Sequence, residues 1–215
     1  MRPELIIDAR ANLGEGPAWD MVANRLYWVD IHAGVLHCYD PQSESNYRHS
    51  FGEPVSCIAP CHSTWISPGG LNGDAILALK SGIILLNQLC DDWDYVVQPE
   101  PHLPGNRFKD GKCDPAGRFL AGTMNDAEKE ARGSLYSYSP NGTLKTLLSG
   151  VRISNGLTWS PDFKTFYYID TPTRQVTTFD YNLTTGDVAN PHPAVIVRAE
   201  LGWPDGMTTD SEGIL

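Results

Sequence analysis

The strongest constraint on this chain is that it repeats itself. GEGPAWDMVANRLYWVD, from Gly14, aligns with SNGLTWSPDFKTFYYID, from Ser154, at a constant offset of 140 residues. Trp19 falls on Trp159, Tyr27-Trp28 on Tyr167-Tyr168, Asp30 on Asp170 and Asp40 on Asp180, while Glu15 falls on Asn155. The frame returns at Asp205-Gly206-Met207 and more loosely at Asp110-Gly111-Lys112, and a degenerate copy starts near Ser56. The anchors Glu15, Ser56, Asp110, Asn155 and Asp205 are therefore 41, 54, 45 and 50 residues apart. Between them, β-rich runs (25–30, 75–80, 135–138, 165–170, 176–181) alternate with turn clusters, and helical periodicity is almost absent. Only residues 125–132, rich in Ala, Glu and Lys, have the composition for a turn or two of helix. A repeat of this length built from short strands is that of a four-stranded propeller blade, a unit that cannot bury its faces alone.

The expected fold is all-β: a single β-propeller domain over residues 1–215. Residues 60–75 (PCHSTWISPGGLNGDA), rich in Gly and Pro, read as an inserted loop between two strands of the second blade. The sequence ends at Ser211-Glu212-Gly213-Ile214-Leu215, where the repeat calls for an aromatic strand such as Leu26-Tyr27-Trp28 or Phe166-Tyr167-Tyr168. The expectation is an incomplete propeller of roughly four and a half blades, truncated in the first hairpin of the fifth and leaving strand edges open.

Charge narrows the partners. With 16 Lys+Arg against 26 Asp+Glu the formal charge is −10, which disfavours nucleic acid and anionic membrane surfaces. No apolar run approaches a membrane span, and Met1-Arg2-Pro3-Glu4 does not lead into a signal-like stretch. The five cysteines form no CxxC pair and read as reduced thiols. A cytoplasmic chain is expected, one that could also enter the nucleus, and not a secreted one. Oligomeric state is left open by these features.

If each anchor opens the innermost strand of its blade, Glu15, Asp110, Asn155 and Asp205 converge at one mouth of the central channel. Three carboxylates and an amide are hard oxygen donors that suit Ca²⁺, Mg²⁺ or Mn²⁺, and the carboxylates would repel one another without a cation. The plainer alternative is a set of turns, since Asp-Gly and Asn-Gly are common hairpin dipeptides. For Asp110-Gly111 the turn is the better reading; for Glu15 it fails, because Glu is a poor turn residue.

The stretches LGEGPAWD and RLYWVDI, NRFKDGKCDPAGRFLAGTM, GSLY, SNGLTWSPD and PDGMTTDSEG together resemble the regucalcin/gluconolactonase family of sugar-lactone lactonases, in order and approximate spacing from about Leu13 onward. The resemblance implies a six-bladed propeller with one divalent cation (Ca²⁺, Zn²⁺, Mn²⁺ or Mg²⁺) at the channel mouth. It implies Glu15, Asn155 and Asp205 as metal ligands, Arg107 as a contact to substrate hydroxyls or carbonyl, and Asp110 lining the same cavity. Lys109 stands where the vertebrate regucalcins usually carry an asparagine that touches substrate. The acidic contact expected after Gly122-Thr123-Met124 aligns with Ala127, flanked by Asp126 and Glu128.

No GxSxG, HExxH or CxxC motif supports serine or zinc-motif hydrolysis. His32, His37, His49, His62, His102 and His192 read as solvent-facing or locally hydrogen-bonded. The remaining route is metal-assisted opening of a small-molecule sugar lactone such as gluconolactone: carbonyl polarised, bound water acidified, and the proton taken by a carboxylate. Asp205 is the expected base, with Asp110 able to share the role, and Arg107 the oxyanion contact. The tryptophans and tyrosines of the repeat read as blade core, Lys112 and Arg118 as surface charges, and Asp30 and Asp170 as turn formers. The alternatives are a non-catalytic Ca²⁺-binding regulatory protein, a related phosphotriester hydrolase, and an inactive fragment.

Overall fold

A computed structural model describes residues 3–66, 70, 72–87 and 92–215. Its first antiparallel sheet is β1 (Gly14–Asp20), β2 (Arg25–Asp30), β3 (Val35–Asp40) and β4 (Ser45–Ser50). The second is β5 (Val55–Ile66), β6 (Asn72–Leu79), β7 (Ile83–Asn87) and β8 (Asp92–Val97). The third is β9 (Asn106–Cys113), β10 (Phe119–Asn125), β11 (Gly133–Tyr138) and β12 (Leu144–Val151). The fourth is β13 (Ser154–Trp159), β14 (Thr165–Asp170), β15 (Gln175–Tyr181) and β16 (Val188–Ile196). Each sheet is a meander in chain order, the form of a propeller blade. The inner strands β1, β5, β9 and β13 neighbour one another in succession, so the four blades form an arc about one axis.

The core lies between blades. Tyr27, Val29, Leu36, Val55, Leu77 and Ile84 fill the layer between the first two sheets. Ile76, Leu85, Phe108, Phe119, Ala121 and Tyr136 fill the second layer, and Leu120, Leu135, Leu157, Trp159, Phe166 and Phe179 the third. Central strands are apolar on both faces: Ala75 through Leu79 are all buried, which is why this stretch reads as a continuous run rather than an alternation.

Polar ties cross the same gaps. Ser56 Oγ donates to Phe108 O at 2.5 Å, joining blades two and three. Asp114, fully buried, accepts Arg118 Nε at 2.5 Å and the Tyr181 hydroxyl at 2.5 Å, while Arg118 Nη2 donates to Leu183 O at 2.6 Å. Arg118 is thus a clamp between blades three and four and not the surface charge expected from sequence: the sheets approach closely enough to swallow its stem.

Several other expectations are corrected. Residues 60–75 are largely strand: β5 runs to Ile66 and β6 begins at Asn72, so the hairpin is lengthened instead of looped out. Residues 67–69 and 71 at its tip lie outside the described set, as does Cys90. Residues 125–132 form a turn and bend, not a helix; Glu128 takes a left-handed φ of 58°, which ends any helical run. The extent agrees with the expected four and a half blades: four sheets are followed by residues 202–215, which hold a turn closed by Asp210 and Gly213 and no strand of their own. Trp19 is 50% exposed, whereas Tyr27, Trp159 and Tyr168 are buried as core. His37 is buried, stacked on Trp28, and its Nδ1 accepts from Asn46 Nδ2 at 3.0 Å.

Asp114→Ala should destabilise the chain by about 3 kcal/mol, because it leaves the Arg118 charge in a near-buried gap without its partner. Urea unfolding followed by tryptophan fluorescence checks this; a loss within error would mean the clamp contributes nothing between the blades.

Candidate functional site

Every inner strand breaks register near its start, and β5 does so a second time between Pro60 and Trp65. β1 slips between Glu15 and Ala18, β5 between Val55 and Cys57, β9 between Phe108 and Asp110, and β13 between Asn155 and Leu157. The bulges fall at Gly16-Pro17, Ser56, Lys109 and Gly156. A bulge re-aims the side chains beside it and sharpens the local twist. Glycine is required twice for different reasons. Gly16 has φ 58°, and a Cβ on Gly156 would meet Asp205 O at 2.5 Å.

Two aspartates hold the entry to these strands. Asp30, at the end of β2, accepts Asn12 N at 2.8 Å and Leu13 N at 3.1 Å, immediately before Glu15. Asp170, at the end of β14, accepts Arg152 N at 3.1 Å and Ile153 N at 2.8 Å, immediately before Asn155. The backbone repeats the pattern, with Ile31 N to Leu13 O at 2.9 Å and Thr171 N to Ile153 O at 3.1 Å. Expected as turn formers, these residues fix the approach of the candidate ligands. Burial works against charge on Asp30, but the N–H donations from Asn12, Leu13 and Ala33 outweigh it and hold the carboxyl below its ordinary range.

A cavity of about 660 Å³ opens where the inner strands meet, lined by Glu15, Arg107, Lys109, Asn155 and Asp205 with Asp126, Glu128 and Thr171 among its other walls. Asn155 is 4% exposed, and its Nδ2 donates to Thr171 Oγ1 at 2.8 Å. Thr171 Oγ1 in turn donates to Pro204 O at 3.0 Å. Thr171 has one proton and spends it on Pro204, so it can only accept from Asn155; the amide orientation follows, and Oδ1 is the atom left for other partners. The same relay ties down the residue before Asp205. That tail is further held by Arg174, which donates to Gly202 O at 2.6 Å and lies 3.4 Å over the Trp203 ring. Arg107, 4% exposed, donates from Nε to Asp126 Oδ1 at 2.8 Å and from Nη1 to Phe108 O at 3.1 Å. Lys109 Nζ donates to Glu15 Oε1 at 2.8 Å, across 94 residues of sequence.

Five of the six residues singled out from sequence meet in this cavity. Asp110 does not. It lines a second cavity of about 830 Å³ with Gly111, Lys112, Cys113 and Met207, and Glu15 borders both. The reason is register: the residue ahead of the bulge is Glu15 in blade one and Asn155 in blade four, but Phe108 in blade three, so Asp110 is not their equivalent. Burial pushes its carboxyl up, opposed by the Gly111 N–H at 2.7 Å and by Lys109 and Lys112. Asp126 is recovered as the partner of Arg107, next to the position where the alignment fell on Ala127. Thr171, Arg152 and His32 also line the cavity. Sequence gave no sign of Thr171, because its counterpart in the first repeat is Ile31.

The donor set suits a hard divalent cation: two carboxylates and one amide oxygen whose orientation is set by the relay. Among the described residues no three His, Cys, Asp or Glu side chains gather as a metal-binding group. Lys109, on Glu15, works against such an ion, and Arg107 and Arg152 add positive charge to the same walls.

Asp30→Asn should destabilise the fold by about 1–2 kcal/mol near neutral pH, since it weakens the donations that hold the strand entry. The folded carboxyl lies below its unfolded value near pH 4, so its contribution is complete above that value and is lost as pH falls through the folded one. Urea unfolding of both proteins should therefore show a constant gap from about pH 6 to 8 that closes below about pH 4; a gap that persists undiminished in acid would refute the charge-based account.

Comparison with known proteins agrees with this architecture. Residues 13–215 match the profile of the SMP-30/Gluconolactonase/LRE-like region. A Bacillus subtilis protein provisionally named a sugar lactone lactonase is 37% identical over 208 residues, covering 97% of this chain and 68% of its own. Human regucalcin is 35% identical over 217 residues, covering 99% of this chain and 70% of its own. Among solved structures, a luciferin-regenerating enzyme superposes with a TM-score of 0.86 at 33% identity, covering 94% of this chain and 67% of its own. A regucalcin from Agrobacterium tumefaciens, described as a calcium-binding protein, gives 0.85 at 26% identity, covering 94% and 66%. The chain spans roughly two thirds of the length of these relatives, and its repeats, its four blades and the profile over residues 13–215 make it a member of the SMP-30/gluconolactonase/LRE-like family of β-propellers.

Proposed function

We propose that this chain carries the site of a divalent-metal-dependent lactonase that opens the ring ester of a small sugar lactone. The observation that supports this most is the gathering of Glu15, Asn155 and Asp205, from three copies of one repeat, in a cavity that also holds Arg107 and Lys109. A small polar ring fits about 660 Å³ of space lined by both charges and apolar atoms. The names of the Bacillus relative and of the family profile point to the same substrate class.

In this reading Glu15, Asn155 and Asp205 hold the cation, which when bound supplies Lewis-acid polarisation of an ester carbonyl and acidifies water. Arg107 uses two of its N–H donors on Asp126 and Phe108, which fixes the guanidinium plane and leaves other donors for substrate hydroxyls or the developing oxyanion. Asp205 lies in an exposed tail, where its carboxylate can reach a water approaching the carbonyl carbon. It takes the water's proton as the new C–O bond forms; the ring C–O bond then breaks, and the proton passes to the departing alkoxide. The product is the open-chain hydroxy acid. Thr171 acts through others, aiming the Asn155 oxygen and anchoring Pro204.

The test is acid release from gluconolactone with Ca²⁺, Mn²⁺, Zn²⁺ or Mg²⁺ supplied in turn. Turnover should depend on the metal, and Asp205→Asn should lower kcat by at least about 100-fold while metal binding survives, because the amide keeps an oxygen but cannot accept the proton. Undiminished rates in that variant would remove Asp205 as base. Metal binding without turnover by the wild-type chain would favour the non-catalytic calcium-binding reading. Thr171→Val should cost about tenfold or more through misplacement of the ligands, with Thr171→Ser restoring the rate.

A further inference from the structure

Lys109 occupies a position that is small in every other blade. The bulges of β1, β5 and β13 fall at Gly16-Pro17, Ser56 and Gly156, and only β9 places a long side chain there. The bulge aims that side chain across the channel mouth, and its ammonium comes to rest on Glu15 Oε1 at 2.8 Å. The side chain of Lys109 is 9% exposed and that of Glu15 27% exposed, so the lysine has little water to fall back on and depends on this carboxylate. The pairing spans blades one and three. Neither strand sequence requires it, and it exists because the arc brings the two bulges face to face.

We propose that Lys109 is a tethered cation that competes with the divalent ion for Glu15, setting a weak metal affinity for the site. This rests on the metal-site reading above. A metal ion shares Glu15 oxygens at roughly 2.0–2.6 Å, and an ammonium held against the same carboxylate lies only a few ångströms from it. Two cations that close repel strongly in a cavity partly shielded from water. Binding of the divalent ion therefore requires the ammonium to leave Glu15 or to share it at a cost, and either route weakens binding compared with a neutral residue at this position. The linkage is reciprocal: whatever removes the ammonium tightens the metal. It also accounts for an energetic puzzle of the site, since Lys109 neutralises Glu15 when no ion is present and so spares the fold an unpaired carboxylate.

The experiment is isothermal titration of the full chain with Ca²⁺ and with Mn²⁺, comparing wild type with Lys109→Met, Lys109→Asn, Lys109→Arg and Glu15→Gln. Far-UV circular dichroism establishes that each variant is folded. The proposal expects Lys109→Met and Lys109→Asn to bind about 5- to 100-fold more tightly than wild type, the span of typical coupling between sites. Lys109→Arg should stay near wild type because it keeps the charge. Metal-induced gain in melting temperature should be larger for Lys109→Met than for wild type by the same linkage. Equal affinity of wild type and both neutral variants, with binding abolished in Glu15→Gln, would overturn the competition while leaving the metal site standing. Binding that Glu15→Gln does not alter would overturn the metal site and the proposal together. Should one neutral variant fail to fold, the other decides.

Discussion

The two middle sheets of this chain are apolar on both faces, and a sheet of that kind is stable only when other sheets cover it. Ala75 to Leu79 on the central strand of the second blade are buried without exception, with partners on one side from the first blade and on the other from the third. That demand sets the blades side by side and turns their innermost strands toward a common axis. The site is a by-product of this packing. Residues separated by 140 positions, such as Glu15 and Asn155, line one cavity because equivalent places in neighbouring blades are equivalent places around the axis.

Packing alone would leave the mouth of the channel loosely defined, and two local devices sharpen it. The bulge on each inner strand turns the adjoining side chain toward the axis, and the aspartates at the ends of β2 and β14 grip the two backbone N–H groups just ahead of it. These carboxylates pair backbone donors that lie just ahead of the strand ladder. The relay from Asn155 through Thr171 to Pro204 extends the control to the tail that bears Asp205. Asp205 therefore owes its place to a hydroxyl, a carbonyl and the absence of a side chain on Gly156, and not to a strand of its own.

Charge is distributed in levels along the channel. At the mouth, Arg107 leans on Asp126 and Lys109 on Glu15, so that these two basic groups are matched. One level further, Asp110 is enclosed with Lys112, whose ammonium is pushed toward neutrality by burial even as it faces that carboxylate. Glu15 borders both cavities.

The repeat, read from residues alone, determined the all-β class, the blade period and the candidacy of Glu15, Asn155 and Asp205, because an exact offset of 140 preserves chemistry wherever it preserves position. It also singled out Arg107 and Lys109 through the resemblance carried by NRFKDGKC. It misplaced Asp110, which follows the bulge of β9 where Glu15 and Asn155 precede theirs, a difference that leaves no mark in composition or spacing. It took Arg118 for a surface charge, and it read Asp30 and Asp170 as turn residues, a role Asp30 keeps through the Ala33 N–H, without their grip on the strand entries, because the sheet and the backbone amides concerned lie 17 to 67 residues away. The partnership of Lys109 with Glu15 and the hydroxyl relay at Thr171 were decided only by tertiary structure. Both depend on side chains meeting across blades, and such meetings are set by the radius and twist of the arc, quantities that no local stretch of sequence contains.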